Sequence, residues 1–262
     1  HLSGWDQSVD PHAWQPLPTV LERHHTNRRV LTSSLGKYRG TGLSEAALRG
    51  GDFVDAAGYN ARVTYALEAL SSRTPTTVYL YWGEIDAAGH RYGVGSDEWL
   101  QQLEELNSAL KRLAERAPAW AALFVTADHG MVNVPEHQRI DYSGVEELTR
   151  NIAMTAGEPR AVHLYLEDTS EAARTATAQR WAQYWGERAW VIDSRELMRA
   201  GYFGPVITDA ARGRIGDLMV CARDDWALYD MRHYQERALH MAGQHGSLTD
   251  AERLVPLRML KT

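Results

Sequence analysis

Three short segments of the sequence combine aspartate and histidine in patterns that suit metal binding. Asp86 and His90 are four residues apart, and on a helical turn this spacing places both side chains on one face. Asp128 and His129 are adjacent, so they can share a ligand only beyond the end of a regular strand. His245 stands between glycines in the segment GQHGS. Each pattern alone is also common in turns and surface loops, and it is their combination that predicts a metal site.

The five side chains indicate which metals and which reaction to expect. Two carboxylates and three imidazoles suit Zn²⁺, and five ligands exceed what one tetrahedral zinc requires. Mn²⁺ also accepts carboxylate and imidazole ligands. A pair of metal ions about 3.5–4 Å apart typically serves hydrolysis at phosphorus. The ligand set therefore predicts two divalent ions, with Zn²⁺ favoured over Mn²⁺, and a reaction at a phosphoryl group.

The segments around these side chains predict alternating strands and helices. Two runs of apolar, β-branched and aromatic residues, Thr77–Trp82 and Ala121–Thr126, predict buried strands that end shortly before the two aspartates. In open α/β sheets, ligands bind beyond the carboxyl ends of the strands. Tyr59–Leu70 has the apolar spacing of a helix, and Ser96–Glu98 is typical of the start of a long amphipathic one.

Further alternating elements follow along the chain. They are a strand at Ala161–Leu166, a helix from about Ser170 to Trp185, a strand at Trp190–Ile192, a helix at Glu196–Ala200 and a strand at Asp217–Ala222. Strands separated by helices favour an α/β fold with a mainly parallel central sheet and helices on both faces. We expect a single domain over residues 1–262, with 160–235 as a cap or insertion.

The composition limits the classes of partner. The chain has 262 residues, with 28 Lys and Arg against 34 Asp and Glu, and a formal net charge of −6. An acidic chain is unsuited to binding the phosphate backbone of nucleic acid duplexes. The apolar runs are shorter than the roughly 20 residues that a membrane-spanning helix needs. A single cysteine, Cys221, favours a reducing compartment such as the cytoplasm. Because the charge disfavours nucleic acid duplexes and the apolar runs are too short to span a membrane, we expect a small-molecule substrate.

Three strings of the sequence resemble those of one protein family. They are YLYWGEIDAAGHRYG at Tyr79–Gly93, VTADHGM at Val125–Met131 and GQHGSLTDAERLVPL at Gly243–Leu257. They are similar to motifs of the nucleotide pyrophosphatase/phosphodiesterase branch of the alkaline phosphatase superfamily. The resemblance extends from Trp5 onward and is strongest to bacterial proteins. It implies an alkaline-phosphatase-like fold and metal-dependent hydrolysis of a phosphodiester or nucleotide pyrophosphate bond.

The resemblance also implies how the five side chains divide between two metal ions. By the family's pattern, Asp86, His90 and His245 hold one zinc, and Asp128 and His129 hold the other. Family members carry a further Asp ligand and a Thr or Ser nucleophile upstream of these motifs. We expect both in a segment that precedes residue 1, which makes this chain part of a longer molecule and inactive alone.

No nucleophile is nominated within the 262 residues. Thr32–Ser34 and Thr41–Ser44 lie too late in the chain order and are typical of plain loops. Arg160 can pair with a phosphate, although a surface salt bridge is the favoured interpretation. Two other functions stay open. One is a phosphomonoesterase, phosphonate hydrolase or phosphomutase of the same superfamily, and the other is a non-catalytic metal-binding domain that lacks the nucleophile.

Overall fold

The structure is a computed structural model that describes residues 9–23, 29–34, 36–72 and 74–261. Trp5, where the resemblance begins, lies outside these residues. The α-helices of the described part are α1 (Pro11–Trp14), α2 (Val20–Arg23), α3 (Gly42–Ala47), α4 (Gly58–Leu70), α5 (Glu84–Tyr92), α6 (Asp97–Arg116), α7 (Glu146–Thr149), α8 (Glu171–Trp185), α9 (Ser194–Arg199), α10 (Asp209–Arg212) and α11 (Asp250–Arg253). The β-strands of the same part are β1 (Arg29–Ser34), β2 (Asp52–Asp55), β3 (Thr76–Leu80), β4 (Leu123–Thr126), β5 (Val132–Asn133), β6 (Arg139–Asp141), β7 (Ile152–Glu158), β8 (Ala161–Leu166), β9 (Ala189–Asp193), β10 (Leu218–Ala222), β11 (Ala227–Tyr229), β12 (Gly243–Gln244) and β13 (Leu257–Lys261).

Residue contacts divide the chain into two compact units. The first unit takes the described parts of His1–Ile85, Leu100–Val125 and Arg258–Thr262, and the second takes Asp86–Trp99 and Thr126–Leu257. All five predicted metal ligands fall in the second unit. The assignment of residues 1–262 to one domain, with 160–235 as a cap, stays a prediction.

The first unit is built on a parallel sheet and two long helices. Its three strands lie in the order β2-β1-β3, and both pairings are parallel. Helix α4 matches the predicted helix, and its apolar stripe leaves Val63 0% exposed. Leu113 of α6 packs in the same core. The predicted combination of parallel strands and helices is therefore present in this unit.

The two strands that the sequence predicts to be buried are only half-buried. Within the described residues β3 lies at the edge of the three-stranded sheet, and Tyr79 is 39% exposed. β4 pairs with β13 in a separate two-stranded sheet, and Phe124 is 62% exposed. A strand at a sheet edge has fewer neighbours, so alternate side chains reach solvent. The apolar runs predicted the strands correctly but were wrong about their burial.

The second unit contains an antiparallel sheet with the strand order β7-β8-β10-β9. Trp181 and Trp185 of α8 share one buried core with Leu164 and Leu218 of the sheet. β8 and α8 agree with the predicted elements, whereas the sequence patterns did not predict β7. Only Pro159 and Arg160 separate β7 from β8, and strands joined so closely pair antiparallel. The prediction of a mainly parallel sheet does not extend to these strands.

The structure tests three smaller expectations: the burial of Cys221 and the assignment of Thr32–Ser34 and Thr41–Ser44 to plain loops. Cys221 is buried within β10, as its apolar neighbours predicted. Thr32–Ser34 belongs to strand β1, so it is not the plain loop that the sequence predicts. Thr41 caps helix α3 by accepting a hydrogen bond from the backbone N–H of Ser44, which satisfies a free donor at the helix start.

No helix among the described residues combines the length and the apolar character needed to cross a bilayer.

Candidate metal centre

Helix α5 carries Asp86 and His90 one turn apart. His90 Nε2 lies 3.3 Å from Asp86 Oδ1. On the other side of the ring, His90 Nδ1 lies 2.8 Å from the carbonyl oxygen of Gly243. Because a carbonyl oxygen only accepts, Nδ1 carries the proton and donates it. In the neutral ring the lone pair of Nε2 is then on the Asp86 side, where a metal ion can bind it.

Glycines allow helix α5 and strand β12 to approach closely enough for this contact. A Cβ atom added at Gly243 would lie 2.4 Å from the carbonyl oxygen of Gly89. One added at Gly89 would lie 2.6 Å from Met131 Sδ. The backbone N–H of Ala242 also donates to the carbonyl oxygen of His90 over 2.8 Å. Gly243 therefore allows the two backbones to meet, and Gly89 leaves room for the side chain of Met131.

The pairing of β12 with β5 brings His245 to the same place. β5 begins shortly after His129, and it runs antiparallel to β12, which directly precedes His245. The imidazole ring of His245 stacks on that of His129, with centroids 3.5 Å apart and planes inclined by 14°. Its centroid lies 5.1 Å from that of His90. The strand pairing therefore brings His129 and His245 together, and the contact of His90 with Gly243 adds the third histidine.

Asp86, His90 and His245 form a group with the geometry of a metal site. One potential ligand atom from each residue lies within 4.8 Å of those of the other two. Asp86 Oδ1 is buried and has no hydrogen-bond partner among the described residues. A buried acceptor left unpaired is costly, and a cation at this position would satisfy it. A carboxylate and two imidazoles also match the ligands that Zn²⁺ prefers, so the group fits a divalent ion.

Asp128 and His129 form a more open pair beside this group. His129 Nδ1 lies 2.9 Å from the carbonyl oxygen of Gly130, so in the neutral ring it donates there and the lone pair is on Nε2. That Nε2 atom lies 3.8 Å from Asp128 Oδ1. The side chain of Asp128 is 73% exposed, against 28% for His129. The structure thus places all five predicted residues in one unit, but it groups three of them and leaves Asp128 facing solvent.

The electrostatic surroundings favour the neutral form of His245. Burial, with a smaller contribution from the neighbouring His129 and His90, lowers the pKa of its imidazole to about 4. Asp86 and Asp128 act in the opposite direction without reversing the shift. A neutral imidazole presents a lone pair to a cation, whereas a protonated one cannot. His245 is therefore in a metal-binding form at neutral pH.

A buried ion pair behind the histidines was missed by sequence reasoning. Arg160 pairs with Glu252, and their side chains are 0% and 1% exposed. Arg160 is therefore neither at a phosphate nor in a surface salt bridge, which corrects both interpretations made from the sequence. No local pattern signals this pair, because the partners are 92 residues apart.

Glu158, at the end of β7, is a further acidic residue near the group. A Cβ atom added at Gly246, next to His245, would lie 3.4 Å from the Cβ of Glu158. The residue is exposed overall, yet desolvation of its carboxylate raises its pKa. The charges of His90 and His129 act against that rise, which places the carboxylate within electrostatic range of both rings. The sequence gives no signal for this residue.

Comparisons with known proteins agree with the motifs. A family model described as type I phosphodiesterase/nucleotide pyrophosphatase matches residues 3–248. Bovine bis(5'-adenosyl)-triphosphatase ENPP4 is 35% identical over 83 residues, which is 29% of this chain and 18% of that protein. The expected resemblance to nucleotide pyrophosphatase/phosphodiesterases is confirmed.

Solved structures support the predicted fold. Human ectonucleotide pyrophosphatase/phosphodiesterase 5 superposes with a TM-score of 0.62 at 13% identity, covering 88% of this chain and 60% of that chain. Phosphonoacetate hydrolase from Sinorhizobium meliloti, bound to phosphonoacetate, superposes with a TM-score of 0.62 at 18% identity, covering 93% and 68%. Both are alkaline phosphatase superfamily members, so the predicted alkaline-phosphatase-like fold is confirmed. The chain spans less than two thirds of the bovine and human proteins.

Proposed function

Since this chain belongs to the type I phosphodiesterase/nucleotide pyrophosphatase family, we propose that it serves the hydrolysis of a phosphodiester or nucleotide pyrophosphate bond. Family membership supports phosphoester hydrolysis in general. The observation that carries the proposal is the convergence of Asp86, His90 and His245, whose ligand atoms lie within 4.8 Å of one another. The structure of an inactive variant of murine ectonucleotide pyrophosphatase/phosphodiesterase 5 in complex with AMP covers 91% of this chain and 61% of that chain, which favours a small nucleotide as the substrate class.

Each of the five residues has a part in this proposal. Asp86, His90 and His245 hold one divalent ion, and Asp128 and His129 contribute to a second. Bound divalent ions polarise phosphoryl oxygens and lower the pKa of an attacking hydroxyl or water. Zn²⁺ is the ion that this ligand set favours, and Mn²⁺ is the second choice.

The protein's own contribution is to orient the imidazole ligands before any ion arrives. The carbonyl oxygens of Gly243 and Gly130 hold the protons of His90 and His129 on Nδ1, so that Nε2 of each ring is available. His245 is kept neutral because burial, with a smaller contribution from His129 and His90, lowers the pKa of its imidazole to about 4. His245 can therefore bind a cation without first losing a proton at neutral pH.

We assign the attacking hydroxyl to a Thr or Ser outside residues 1–262, together with a further Asp ligand for the second ion. Within the described residues the Thr41 hydroxyl is engaged in capping helix α3, and Ser44 is buried, so neither is free to attack a phosphorus atom. The hydroxyl would attack phosphorus, expel the leaving alcohol or phosphate and form a covalent phospho-enzyme, which water then hydrolyses. On this proposal the 262 residues are inactive alone.

Hydrolysis of a phosphonate or a phosphomonoester is the second candidate. The superposition on phosphonoacetate hydrolase covers a larger share of that chain, 68%, than the 60% found for the human phosphodiesterase. The two reactions use similar ions and differ in the groups that contact the substituents on phosphorus.

The test is a substrate comparison on the full-length protein. We expect hydrolysis of bis(4-nitrophenyl) phosphate to exceed that of 4-nitrophenyl phosphate by more than about tenfold, a difference of ~1.4 kcal/mol in activation free energy. Phosphonoacetate, assayed in parallel, decides the second candidate. Chelation should abolish activity and Zn²⁺ should restore it. Metal binding without any hydrolysis would instead support the non-catalytic metal-binding domain.

A further inference from the structure

We propose that Arg160 and Glu252 form a buried positioning pair that sets the placement of His129 and His245 for metal binding. The proposal rests on the metal centre of the proposed function, and it places neither residue in contact with a metal or a substrate. The pair lies behind the two histidines, and its side chains are 0% and 1% exposed. Its effect on metal binding is therefore transmitted through the backbone.

The carboxylate of Glu252 is saturated with hydrogen bonds. Its Oε1 accepts from Arg160 Nε at 2.7 Å and from the backbone N–H of Ser247 at 3.0 Å. Its Oε2 accepts from Arg160 Nη2 at 2.9 Å and from the hydroxyl of Thr249. A guanidinium that donates twice to one carboxylate restricts both position and orientation. Glu252 consequently has a single arrangement in this part of the fold.

Glu252 is bonded directly to both histidine segments. Ser247, whose N–H the carboxylate accepts, is two residues after His245. The backbone carbonyl of Glu252 accepts from the N–H of Gly130, immediately after His129, over 2.8 Å. Gly130 is in close contact there, since an added Cβ would lie 1.9 Å from the carbonyl oxygen of Ala251. One residue therefore links the two loops that present the stacked imidazoles.

Arg160 attaches this link to the antiparallel sheet. Its guanidinium Nη1 donates to the carbonyl oxygen of Trp226. Its own carbonyl oxygen accepts from the N–H of Ala222, the last residue of β10, over 2.8 Å. The hydroxyl of Ser247 donates to the carbonyl of the same Ala222. The pair thus transfers the rigidity of the sheet to the turns at His129 and His245.

The energetics favour a positioning role over a purely stabilising one. A buried ion pair adds little net stability compared with apolar residues of the same volume, because both charges lose their hydration. Burial acts to raise the pKa of Glu252, yet the hydrogen bonds from Arg160, Thr249 and Ser247 hold it below its ordinary value. The pair is therefore charged at neutral pH, and it supplies directed bonds that apolar side chains cannot supply. Contacts behind metal ligands typically change metal affinity by 10–100-fold.

The experiment measures zinc affinity and amide exchange in the full-length protein, without substrate. Zn²⁺ affinity is obtained by competition with a chromogenic chelator for the wild type, Arg160→Met and Glu252→Gln. We expect each substitution to weaken zinc binding by about 10–100-fold. In the metal-free protein, we expect faster hydrogen exchange at the amides of Gly130 and Ser247, which bond to Glu252. Arg160→Lys keeps the charge and should recover part of the affinity.

Arg174→Met is the matched control. Arg174 Nη2 lies 2.7 Å from Asp217 Oδ1 in the same unit, and their side chains are 11% and 22% exposed. This pair joins α8 to the start of β10 and makes no bond to the histidine segments. We expect the control to lower the melting temperature and leave zinc affinity unchanged. Equal zinc affinities of Arg160→Met and the wild type, with the variant folded, would overturn the proposal.

Thr249→Val decides the question if the larger substitutions prevent folding. It removes one hydrogen bond to Glu252 and keeps the shape of the side chain. We expect a loss of several-fold in zinc affinity, and an unchanged value would overturn the proposal. A wild type that binds zinc but hydrolyses no phosphoester would contradict the proposed hydrolysis alone. A wild type that binds no zinc would contradict the metal centre and the positioning pair with it.

Discussion

The two groups of predicted ligands differ in how completely the fold prepares them for a cation. Asp86, His90 and His245 present ligand atoms within 4.8 Å of one another, and one carboxylate oxygen is buried without a hydrogen-bond partner in the described residues. Asp128 is 73% exposed, and its carboxylate is 3.8 Å from His129. We infer that the first group is the tighter metal site and that the second needs a further ligand.

The difference follows from the elements on which the ligands lie. Asp86 and His90 occupy a regular helix, and His245 directly follows a paired strand. Asp128 lies in the turn after β4. Side chains on regular elements are held more precisely than those on turns. The number of protein ligands, three against two, acts in the same direction.

Loss of His245 should have the largest effect on the tighter site. In the full-length protein, we expect His245→Ala to reduce kcat/KM for bis(4-nitrophenyl) phosphate by about 10³-fold, or ~4 kcal/mol. The circular dichroism spectrum should be unchanged, because His245 lies outside the helices and strands. His240→Ala is the control, since His240 is exposed and is absent from the three-ligand group. Activity that survives His245→Ala would contradict the inference that Asp86, His90 and His245 form the tighter metal site.

A methyl group at Gly243 should separate the ligands of the tighter site. The Cβ of Gly243→Ala would meet the carbonyl oxygen of Gly89 at 2.4 Å, so α5 and β12 must move apart. We expect a destabilisation of about 1–3 kcal/mol and weaker zinc binding, measured by urea unfolding and chelator competition. Gly144→Ala is the matched control, because no atom lies within 4 Å of its Cβ position. Equal zinc affinity in both variants would argue against close backbone approach as the cause of convergence.

Asp128→Asn should affect only the second site. The substitution keeps the shape of the side chain and removes a charged ligand. We expect the affinity of the first zinc to change by less than the 10–100-fold expected for disturbed metal ligands, while a second ion is lost. Calorimetric titration of the full-length protein with Zn²⁺ measures both. If Asp128→Asn weakens the first zinc as much as Asp86→Asn does, the five residues act as one cluster.

The pH dependence of the metal-free protein should show the smallest effect. Folding lowers the pKa of His245 from 6.5 to about 4, so the unfolded state binds a proton at pH values where the folded state does not. Stability should therefore fall as the pH drops from about 6.5 to about 4, and because the ring is only partly buried, solvent screening should keep the whole change to about 1 kcal/mol. His245→Gln should reduce this slope in urea unfolding. An identical slope in the variant would show that His245 is not the group responsible.

Local patterns in the sequence predicted much of the helix and strand content. The apolar spacing of Tyr59–Leu70 agrees with α4, and the run Ala161–Leu166 agrees with β8. Both patterns depend on residues three or four apart, or on alternation, which are distances that a sequence displays directly. The sequence patterns did not predict β7, because its segment, Ile152–Glu158, contains small residues and no regular apolar alternation. Its pairing with β8 is also irregular between Ile152 and Met154.

The residue types of the candidate site could be predicted without the structure. The spacing of Asp86 and His90 places them on one face of a helix whatever surrounds it, and the glycines beside His245 mark a segment with unusual backbone requirements. Three other features depend on tertiary contacts: His245 stacks on His129, Asp128 faces solvent, and Arg160 is buried against Glu252. These outcomes depend on which strands pair and on which charges lose contact with water. Such contacts join residues far apart in the chain, and they exist only once the chain has folded.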